Sequence, residues 1–196
     1  EINKNIKKGK RFKFNKDVNL CGYNVGERYP PIMLAEIGIN YKGDIELAKE
    51  LLRQVKNSGC DVAKLQMYSS GNGLSATGKE AMYLDNTFGM KEPTNEDSEN
   101  YKLTLSEQTE LIEYAGKLDI PIITTPFDEG NVDFLFDAGV QAFEIASFDL
   151  VNLPFLRYVA SKGLPIILSI GMSQLSEIED AIDAIALIKN PNLILL

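Results

Sequence analysis

The order in which apolar segments follow one another constrains the fold of this chain more than any other feature. From Pro31 onward, short apolar runs bounded by turn residues alternate with longer segments of helical period. This alternation predicts a parallel β-sheet whose strands are joined by crossover helices. Near-continuous apolarity within each run is typical of strands that are covered on both faces. Six strands are predicted, over residues 32–37, 62–67, 121–125, 141–146, 165–169 and 192–196.

Residues that commonly begin helices stand at the start of each helical segment. Five helices are expected, and their apolar stripes are predicted to face the core. In the first helix this stripe consists of Leu47, Ala48, Leu51, Leu52 and Val55. The residues that would begin the helices are Asp44, Thr104 with Glu107, Asp128, Pro154, and Ser176 with Glu179.

Two segments interrupt the alternation. Residues 11–30 are predicted to form a hairpin that covers one end of a barrel. Residues 68–103 are longer than a usual strand-to-helix loop and rich in Gly and Asn, which predicts an active-site lid or a partner-binding loop, with disorder as the alternative. A full eight-stranded barrel takes about 200 to 250 residues, so we expect an incomplete one. The predicted units are a basic arm with a hairpin at 1–30 and a partial barrel at 31–196.

Composition excludes several classes of function. The chain has no histidine, which excludes Ser-His-Asp and Cys-His nucleophile systems and an imidazole-ligated metal held by this chain alone. Two cysteines, Cys21 and Cys60, are too few for a disulfide framework and are predicted to be small buried residues. A net charge of −8 argues against nucleic acid or an anionic membrane as partner, and the basic residues within 1–17 are predicted to be a solvated terminus. No membrane span or signal peptide is visible, so a cytoplasmic location is predicted.

Polar side chains occur where the predicted strands end, which is where chemistry collects in parallel sheets and barrels. Glu36 and Lys64 each lie within an apolar strand, where burial without a partner would be strongly unfavourable. Lys64 and Gln66 point to the same face, because side chains alternate along a strand. We predict that Glu36 and Lys64 belong to a functional site, with a buried structural ion pair as the alternative.

Hydroxyl groups recur at three further strand ends, on Thr125, Ser147 and Ser169. Together with backbone amides they can surround an anion that Lys64 neutralises, which predicts a site for a phosphate or a carboxylate. The alternative is that each hydroxyl caps a neighbouring helix.

Five short motifs stand at these strand ends: AEIGIN at 35–40 followed by Gly43, AKLQ at 63–66, TTPF at 124–127, IAS at 145–147 and ILSIGM at 167–172. Together they resemble the motifs of the sialic acid synthase-like enzymes, which make N-acetylneuraminic, legionaminic and pseudaminic acids. The resemblance runs from about Pro31 to Leu196. The run IASFD at 145–149 is more similar to the pseudaminic or legionaminic branch than to ordinary sialic acid synthases.

This resemblance implies a TIM (β/α)8-type barrel that condenses phosphoenolpyruvate with the open-chain form of an N-acetylated amino sugar and releases phosphate. It implies that Glu36 and Lys64 are catalytic, with Glu36 near the metal or the attacking water. The implied substrate-binding residues are Asn40, Gln66, Thr125, Ser147, Asp149 and Ser169. Lys64, together with Thr125, Ser147 and Ser169, would hold phosphoenolpyruvate, while Gln66 and Asp149 would contact the sugar.

The resemblance also implies a divalent metal, Mn2+ or Mg2+, and a homodimer. The family's metal-binding histidines come from later strands, and an antifreeze-like domain that lends an arginine across the dimer follows the barrel; this chain contains neither. We therefore expect the chain by itself to be an incomplete and inactive synthase.

Three positions depart from the family pattern. Glu144 stands where many members carry a lysine for the phosphate, Tyr41 where they carry histidine, and Ile170 where Ser-Thr-Gly-Met is usual. An acid at position 144 would repel phosphate unless its side chain points elsewhere. Two other readings stay open: a Schiff-base aldolase or lyase that uses Lys64, and a non-catalytic barrel remnant that binds a sugar phosphate or a partner.

Overall fold

The computed structural model describes residues 12–67 and 102–196. Within these ranges the strands are β1 (Val18–Leu20), β2 (Tyr23–Val25), β3 (Leu34–Gly38), β4 (Val62–Gln66), β5 (Ile122–Thr125), β6 (Phe143–Ile145), β7 (Ile166–Leu168) and β8 (Leu193–Leu195). The helices are α1 (Ile45–Asn57), α2 (Leu105–Lys117), α3 (Glu129–Asp137), α4 (Leu153–Ser161) and α5 (Leu175–Ile188), and a short 3-10 helix, Ser147–Asp149, follows β6.

Strands β3 to β8 form one parallel sheet in which each strand lies beside its neighbours in sequence. Helices α1 to α5 each lie between two successive strands of this sheet in the chain order. A strand followed by a helix, repeated in sequential order, is the arrangement of the TIM barrel. The predicted fold class is therefore confirmed, and the bounds of all six predicted strands differ from the observed bounds by at most two residues.

The outer face of the sheet packs against the helices in one large apolar cluster. Alternate strand residues point outward to the helices because side chains on a strand alternate between its faces. Burial of each large side chain in such a cluster contributes about 1.5–3 kcal/mol to folding. Fully buried members include Leu65, Phe143 and Leu168 from the strands and Leu52, Leu111 and Leu156 from the helices.

Most predicted helix starts are observed. Asp44 accepts hydrogen bonds from the backbone amides of Glu46 and Leu47, and Thr104 forms a reciprocal capping box with Glu107. Asp128 caps α3, and Pro154 lies in the first turn of α4. These contacts satisfy amide groups that have no partner within the helix.

Two details of the predicted helices are wrong. Helix α5 begins two residues earlier than Ser176 with Glu179 would place it, because the Glu177 carboxylate accepts a hydrogen bond of 2.7 Å from the backbone amide of Gln174. In α1, Leu47 does not join the buried stripe, since 39% of it is exposed.

The segment before the sheet forms the predicted hairpin, in which β1 and β2 pair in antiparallel fashion. Its two turn residues, Cys21 and Gly22, have φ of 53° and 91°, and a two-residue turn with positive φ at both positions matches the twist of the flanking strands. Leu20 and Cys21 are buried against four residues near the amino ends of the sheet strands. We call these four residues, Val62, Ile123, Ala142 and Ile167, the apolar layer.

No helix within residues 12–67 and 102–196 combines the length and the apolar character needed to cross a membrane. The first part of the predicted basic arm, residues 1–11, and most of the predicted long loop, residues 68–101, lie outside the described residues. The predictions for both segments, and the division into units 1–30 and 31–196, therefore stay predictions.

Candidate functional site

Polar side chains replace apolar ones two residues further along the strands that carry the apolar layer. Residues two apart on a strand share a face, so these polar side chains also point to the inner side of the sheet. They lie at the carboxyl ends of the strands, where TIM barrels carry their chemistry. We call this set the polar layer; it consists of Lys64, Thr125, Glu144 and Ser169.

Lys64 is buried on β4, with 7% of the residue exposed, and two carboxylates neutralise it. Its Nζ atom lies 2.8 Å from Glu36 Oε2 on β3 and 3.4 Å from Glu144 Oε2 on β6. An ammonium group removed from water without such partners would cost several kcal/mol. The two ion pairs therefore allow Lys64 to occupy an otherwise apolar strand.

Glu144 connects the remaining members of the polar layer. Its Oε1 atom accepts a hydrogen bond of 2.7 Å from the Ser169 hydroxyl, and its Oε2 atom accepts one from the Thr125 hydroxyl. Thr125 is fully buried and Glu144 is 7% exposed. The two hydroxyls thus bind a carboxylate inside the sheet and do not cap helices. The Glu144 side chain therefore points into the site. This is the condition under which an acid at position 144 is expected to repel a bound anion.

Glu36 approaches Lys64 from a distorted part of β3. The pairing of β3 with β4 shifts by one residue between Glu36 and Gly38, and Gly38 has a φ of 57°. A Cβ atom at Gly38 would lie 3.0 Å from Glu36 Oε1, which is tighter than ordinary contact. A glycine therefore suits this position both for its backbone angle and for the space it leaves to the carboxylate.

The Glu36–Lys64 ion pair, which was the alternative to a functional site, is present and is buried on one side only; the functional role of the two residues stays a prediction. The Lys64 side chain is 9% exposed, whereas the Glu36 side chain is 53% exposed. The Glu36 carboxylate therefore contacts both the buried ammonium group of Lys64 and solvent.

Four further predicted residues lie outside this cluster. Among the described residues, no hydrogen bond joins the side chain of Asn40, Gln66, Ser147 or Asp149 to Lys64 or Glu144. Asn40 is exposed in the turn after β3, and Gln66 is partly buried at the end of β4.

Ser147 and Asp149 lie on the 3-10 helix that follows β6. Ser147 faces the loop after β7, since a Cβ atom at Gly171 would lie 3.7 Å from its hydroxyl oxygen. The Asp149 Oδ2 atom is buried with no hydrogen-bond partner among residues 12–67 and 102–196, and its Oδ1 atom lies 3.4 Å from the side-chain nitrogen Nδ2 of Asn152. Burial raises the pKa of the Asp149 carboxyl, because the charged form loses hydration.

Tyr41 is buried beside the site, in the turn after β3. Its side chain is 2% exposed, and its hydroxyl donates a hydrogen bond of 2.9 Å to the backbone carbonyl of Gln66. The tyrosine at the position where the family carries histidine thus ties the turn after β3 to the end of β4.

Sequence reasoning missed an aromatic pair at the carboxyl ends of the strands. The rings of Phe127 and Phe148 stack with centroids 6.0 Å apart and an angle of 8° between their planes. Phe148 is 67% exposed, although large apolar residues are usually buried. The available signal was that Phe127 ends the strand-end motif TTPF and Phe148 directly follows the motif IAS.

The described residues do not fit the divalent metal that the resemblance implies. No group of three or more His, Cys, Asp or Glu residues capable of holding a metal ion occurs within 12–67 and 102–196. The two carboxylates of the site, Glu36 and Glu144, are already bound to the ammonium group of Lys64.

Comparison with known proteins gives one consistent answer. Residues 51–196 match the NeuB family. The N,N'-diacetyllegionaminic acid synthase of Campylobacter jejuni is 37% identical over 154 residues, which cover 79% of this chain and 46% of that protein. The pseudaminic acid synthase of Helicobacter pylori is 33% identical over 167 residues, covering 85% and 49% respectively.

A solved structure agrees in fold. The N-acetylneuraminic acid synthetase from Leptospira borgpetersenii, crystallised in complex with citrate, superimposes with a TM-score of 0.75 at 28% identity, covering 94% of this chain and 60% of that one. The chain spans about half the length of the related synthases named above. The family match over residues 51–196 and these identities show that the chain belongs to the NeuB family, a sialic acid synthase-like family.

Proposed function

We propose that this chain supplies the phosphoenolpyruvate-binding part of a nonulosonic acid synthase, which condenses phosphoenolpyruvate with an N-acetylated amino sugar and releases phosphate. The observation that carries this proposal is the convergence of Lys64, Thr125 and Ser169 on a single carboxylate group. We call these three residues the anion cradle. Relatives named as legionaminic and pseudaminic acid synthases support the choice of reaction.

The anion cradle provides what phosphoenolpyruvate needs for binding. Lys64 supplies one positive charge from the wall of the sheet, and Thr125 and Ser169 supply one hydroxyl donor each. Charge-assisted hydrogen bonds of this kind are stronger than neutral ones, particularly where water is excluded. Lys64 and Thr125 lie on strands and Ser169 directly follows β7, so little side-chain ordering is required when the ligand binds.

Glu36 is the group we assign to proton handling. Its carboxylate lies 2.8 Å from Lys64 and is half exposed, so it can contact both the anion cradle and a water molecule. A carboxylate in this position can accept a proton from the water that adds to C2 of phosphoenolpyruvate. Positioning and proton transfer are thereby assigned to different residues, Lys64 and Glu36.

The sugar-binding roles of Asn40, Gln66 and Asp149, and a contact of Ser147 with phosphoenolpyruvate, are part of the same proposal. These residues surround the carboxyl ends of β3, β4 and β6. The buried Oδ2 atom of Asp149, which has no donor in the part of the chain that the structure describes, supports a contact with a ligand hydroxyl or amide, since such an atom is costly to leave without a donor. Mn2+ or Mg2+, a homodimer and a cytoplasmic location stay predictions.

The test is the reaction itself, carried out with the full-length protein and a series of N-acetylated amino sugars in the presence of Mn2+ or Mg2+. With phosphoenolpyruvate labelled by 18O in its bridging oxygen, C–O cleavage sends the label into the released phosphate. Each assay is paired with one that lacks the sugar, which measures simple hydrolysis. Absence of sugar-dependent phosphate release with every acceptor would contradict the proposal.

Borohydride reduction separates this reaction from Schiff-base chemistry. In the proposed reaction Lys64 binds phosphoenolpyruvate as an ammonium and forms no covalent bond to it. A Schiff-base lysine must first become a neutral amine that attacks a carbonyl group. We expect no substrate adduct on Lys64 by mass spectrometry, and a trapped adduct would favour the aldolase or lyase alternative.

A further inference from the structure

The group that occupies the anion cradle belongs to the protein itself. Each oxygen of the Glu144 carboxylate accepts one hydroxyl hydrogen bond, from Ser169 at 2.7 Å and from Thr125, and Oε2 also lies 3.4 Å from Lys64 Nζ. Carboxylate and phosphate oxygens accept hydrogen bonds from the same donors. Glu144 therefore uses the donors that a bound anion would need.

We propose that Glu144 is an internal competitor for the anion cradle, so that an incoming anion binds only after the Glu144 carboxylate has left Thr125, Ser169 and Lys64. This inference rests on the proposed function and deepens it, because the competing ligand is taken to be the phosphate or carboxylate group of phosphoenolpyruvate. Glu144 thereby becomes a specificity-determining residue of the site. An anion binds only if its interactions with the anion cradle are more favourable than those of the Glu144 carboxylate.

Charge makes the competition unavoidable. One ammonium group, on Lys64, already faces two carboxylates, on Glu36 and Glu144. A further anion would meet like charges at close range in a region from which water is largely excluded, where such interactions are strong. Displacement of Glu144 removes the negative charge that contacts all three residues of the cradle, and it frees both hydroxyl donors.

Glu36 provides an internal control for this proposal. It lies closer to Lys64 than Glu144 does, at 2.8 Å against 3.4 Å, yet it bonds neither Thr125 nor Ser169. Its side chain is 53% exposed, whereas that of Glu144 is 9% exposed. Glu36 therefore opposes an anion through charge alone, and Glu144 through both charge and occupancy of the donors.

The experiment is isothermal titration of the full-length protein with inorganic phosphate and, separately, with phosphoenolpyruvate. Three variants, each losing one negative charge, are compared with the unaltered protein. Glu144→Gln is expected to tighten the binding of both anions about tenfold or more, because close, desolvated charge pairs couple by more than the 1.4 kcal/mol that corresponds to a factor of ten. Glu36→Gln is expected to tighten it less.

The third variant, Glu110→Gln, controls for net charge. Glu110 lies on α2 and pairs with Lys49 on the outer surface, where its side chain is 56% exposed. Anion affinity in this variant should equal that of the unaltered protein. Equal or weaker affinity in Glu144→Gln, or the same gain in Glu36→Gln as in Glu144→Gln, would overturn the proposal.

A crystal structure of the unaltered protein soaked with phosphate tests the same point without a substitution. The expected result is phosphate on the hydroxyls of Thr125 and Ser169, with the Glu144 carboxylate beyond hydrogen-bond distance of both. Phosphate bound beside Lys64 while Glu144 keeps both hydroxyl contacts would overturn the proposal, and so would failure of either anion to bind Glu144→Gln.

These outcomes separate the inference from the proposed function. If Glu144→Gln gains phosphate affinity and no sugar is ever condensed, competition by Glu144 stands and the proposed reaction fails. If condensation proceeds and Glu144→Gln leaves anion affinity unchanged, the reaction stands and the inference fails.

Discussion

The apolar layer and the polar layer occupy the same face of the same strands, two residues apart. The apolar layer is closed by Leu20 and Cys21 of the hairpin and forms a small second core. The polar layer, at the carboxyl ends, contains a buried carboxylate that contacts a buried ammonium group and two hydroxyls. The two ends of one sheet thus differ: one end is an apolar core, and the other holds buried charge at the carboxyl ends of the strands, where TIM barrels carry their chemistry.

Lys64→Met should have the largest effect, because it leaves the Glu144 carboxylate buried without a positive charge. We expect the free energy of unfolding to fall by about 3–5 kcal/mol and the binding of phosphoenolpyruvate to be lost. Urea denaturation and titration calorimetry measure the two effects. In the double variant Lys64→Met with Glu144→Gln, most of the stability should return while binding stays absent. Unchanged stability in the single variant would show that the polar layer does not depend on this ion pair.

Leu20→Ala tests the opposite end of the sheet. Leu20 is 2% exposed against the apolar layer, so truncation should lower the free energy of unfolding by about 2–5 kcal/mol. The affinity of the Leu20→Ala variant for phosphoenolpyruvate should stay within about twofold of the unaltered value. Leu20 packs against the apolar layer and not against the anion cradle, and substitutions at sites that share no partners are expected to act independently. Tyr23→Ala, on the exposed side of the same hairpin, is the matched control and should cost less. A large change in affinity in Leu20→Ala would mean that the two layers are coupled.

Thr125→Val keeps the shape of the side chain and removes one donor from the polar layer. Glu144 Oε2 then loses a hydrogen bond in a buried position, and we expect a loss of about 1–3 kcal/mol in the free energy of unfolding. Ser169→Ala should cost less, because Ser169 is only partly buried. Equilibrium unfolding of both variants side by side measures the difference. The reverse order would contradict the placement of Thr125 as the more buried donor.

Asp149→Asn should have the smallest effect, and its sign depends on pH. Burial raises the pKa of Asp149 in the folded state, so the folded protein binds this proton more tightly than the unfolded chain does. The contribution of Asp149 to stability therefore falls as pH rises from the unfolded pKa through the folded one, and above that range its charge is a net cost. Asp149→Asn should stabilise the protein at neutral pH by less than about 1 kcal/mol.

Thermal unfolding at several pH values, compared between Asp149→Asn and the unaltered protein, measures this dependence. The difference between the two should shrink as the pH is lowered toward the range where Asp149 is protonated. A difference that grows at low pH would contradict a raised pKa for this carboxyl.

The sequence supported accurate predictions wherever local patterns determine local structure. The alternation of apolar runs and helical segments predicted all six strands of the sheet, and cap residues such as Asp44 and Thr104 predicted helix starts. The start of α5 was predicted two residues late, because both Glu177 and Glu179 follow a possible cap residue and the pattern did not distinguish them. An ion pair between Glu36 and Lys64 was the alternative to a functional site, because each lies in an apolar strand and needs a partner, and the structure contains this pair.

The position of Glu144 could not be predicted in the same way. From the sequence, Glu144 was only a departure from the family pattern. Its effect on anion binding depends on where its side chain points, which the sequence does not give. Its two hydroxyl partners, Thr125 and Ser169, are 19 and 25 residues away along the chain and come from neighbouring strands. The stacking of Phe127 on Phe148 escaped prediction for the same reason, since it depends on how two loops approach each other.

By itself the sequence determined which segments form strands and helices, that the six strands belong to a parallel sheet, and that an ammonium group lies among apolar residues. These features depend on side-chain periodicity, turn residues and the cost of burying charge, all of which act over a few neighbouring residues. The tertiary structure alone decided that Glu144 occupies the anion cradle, and that Ser147 and Asp149 stand apart from it. Those outcomes depend on distances between strands that are remote in sequence, and only the packed sheet sets such distances.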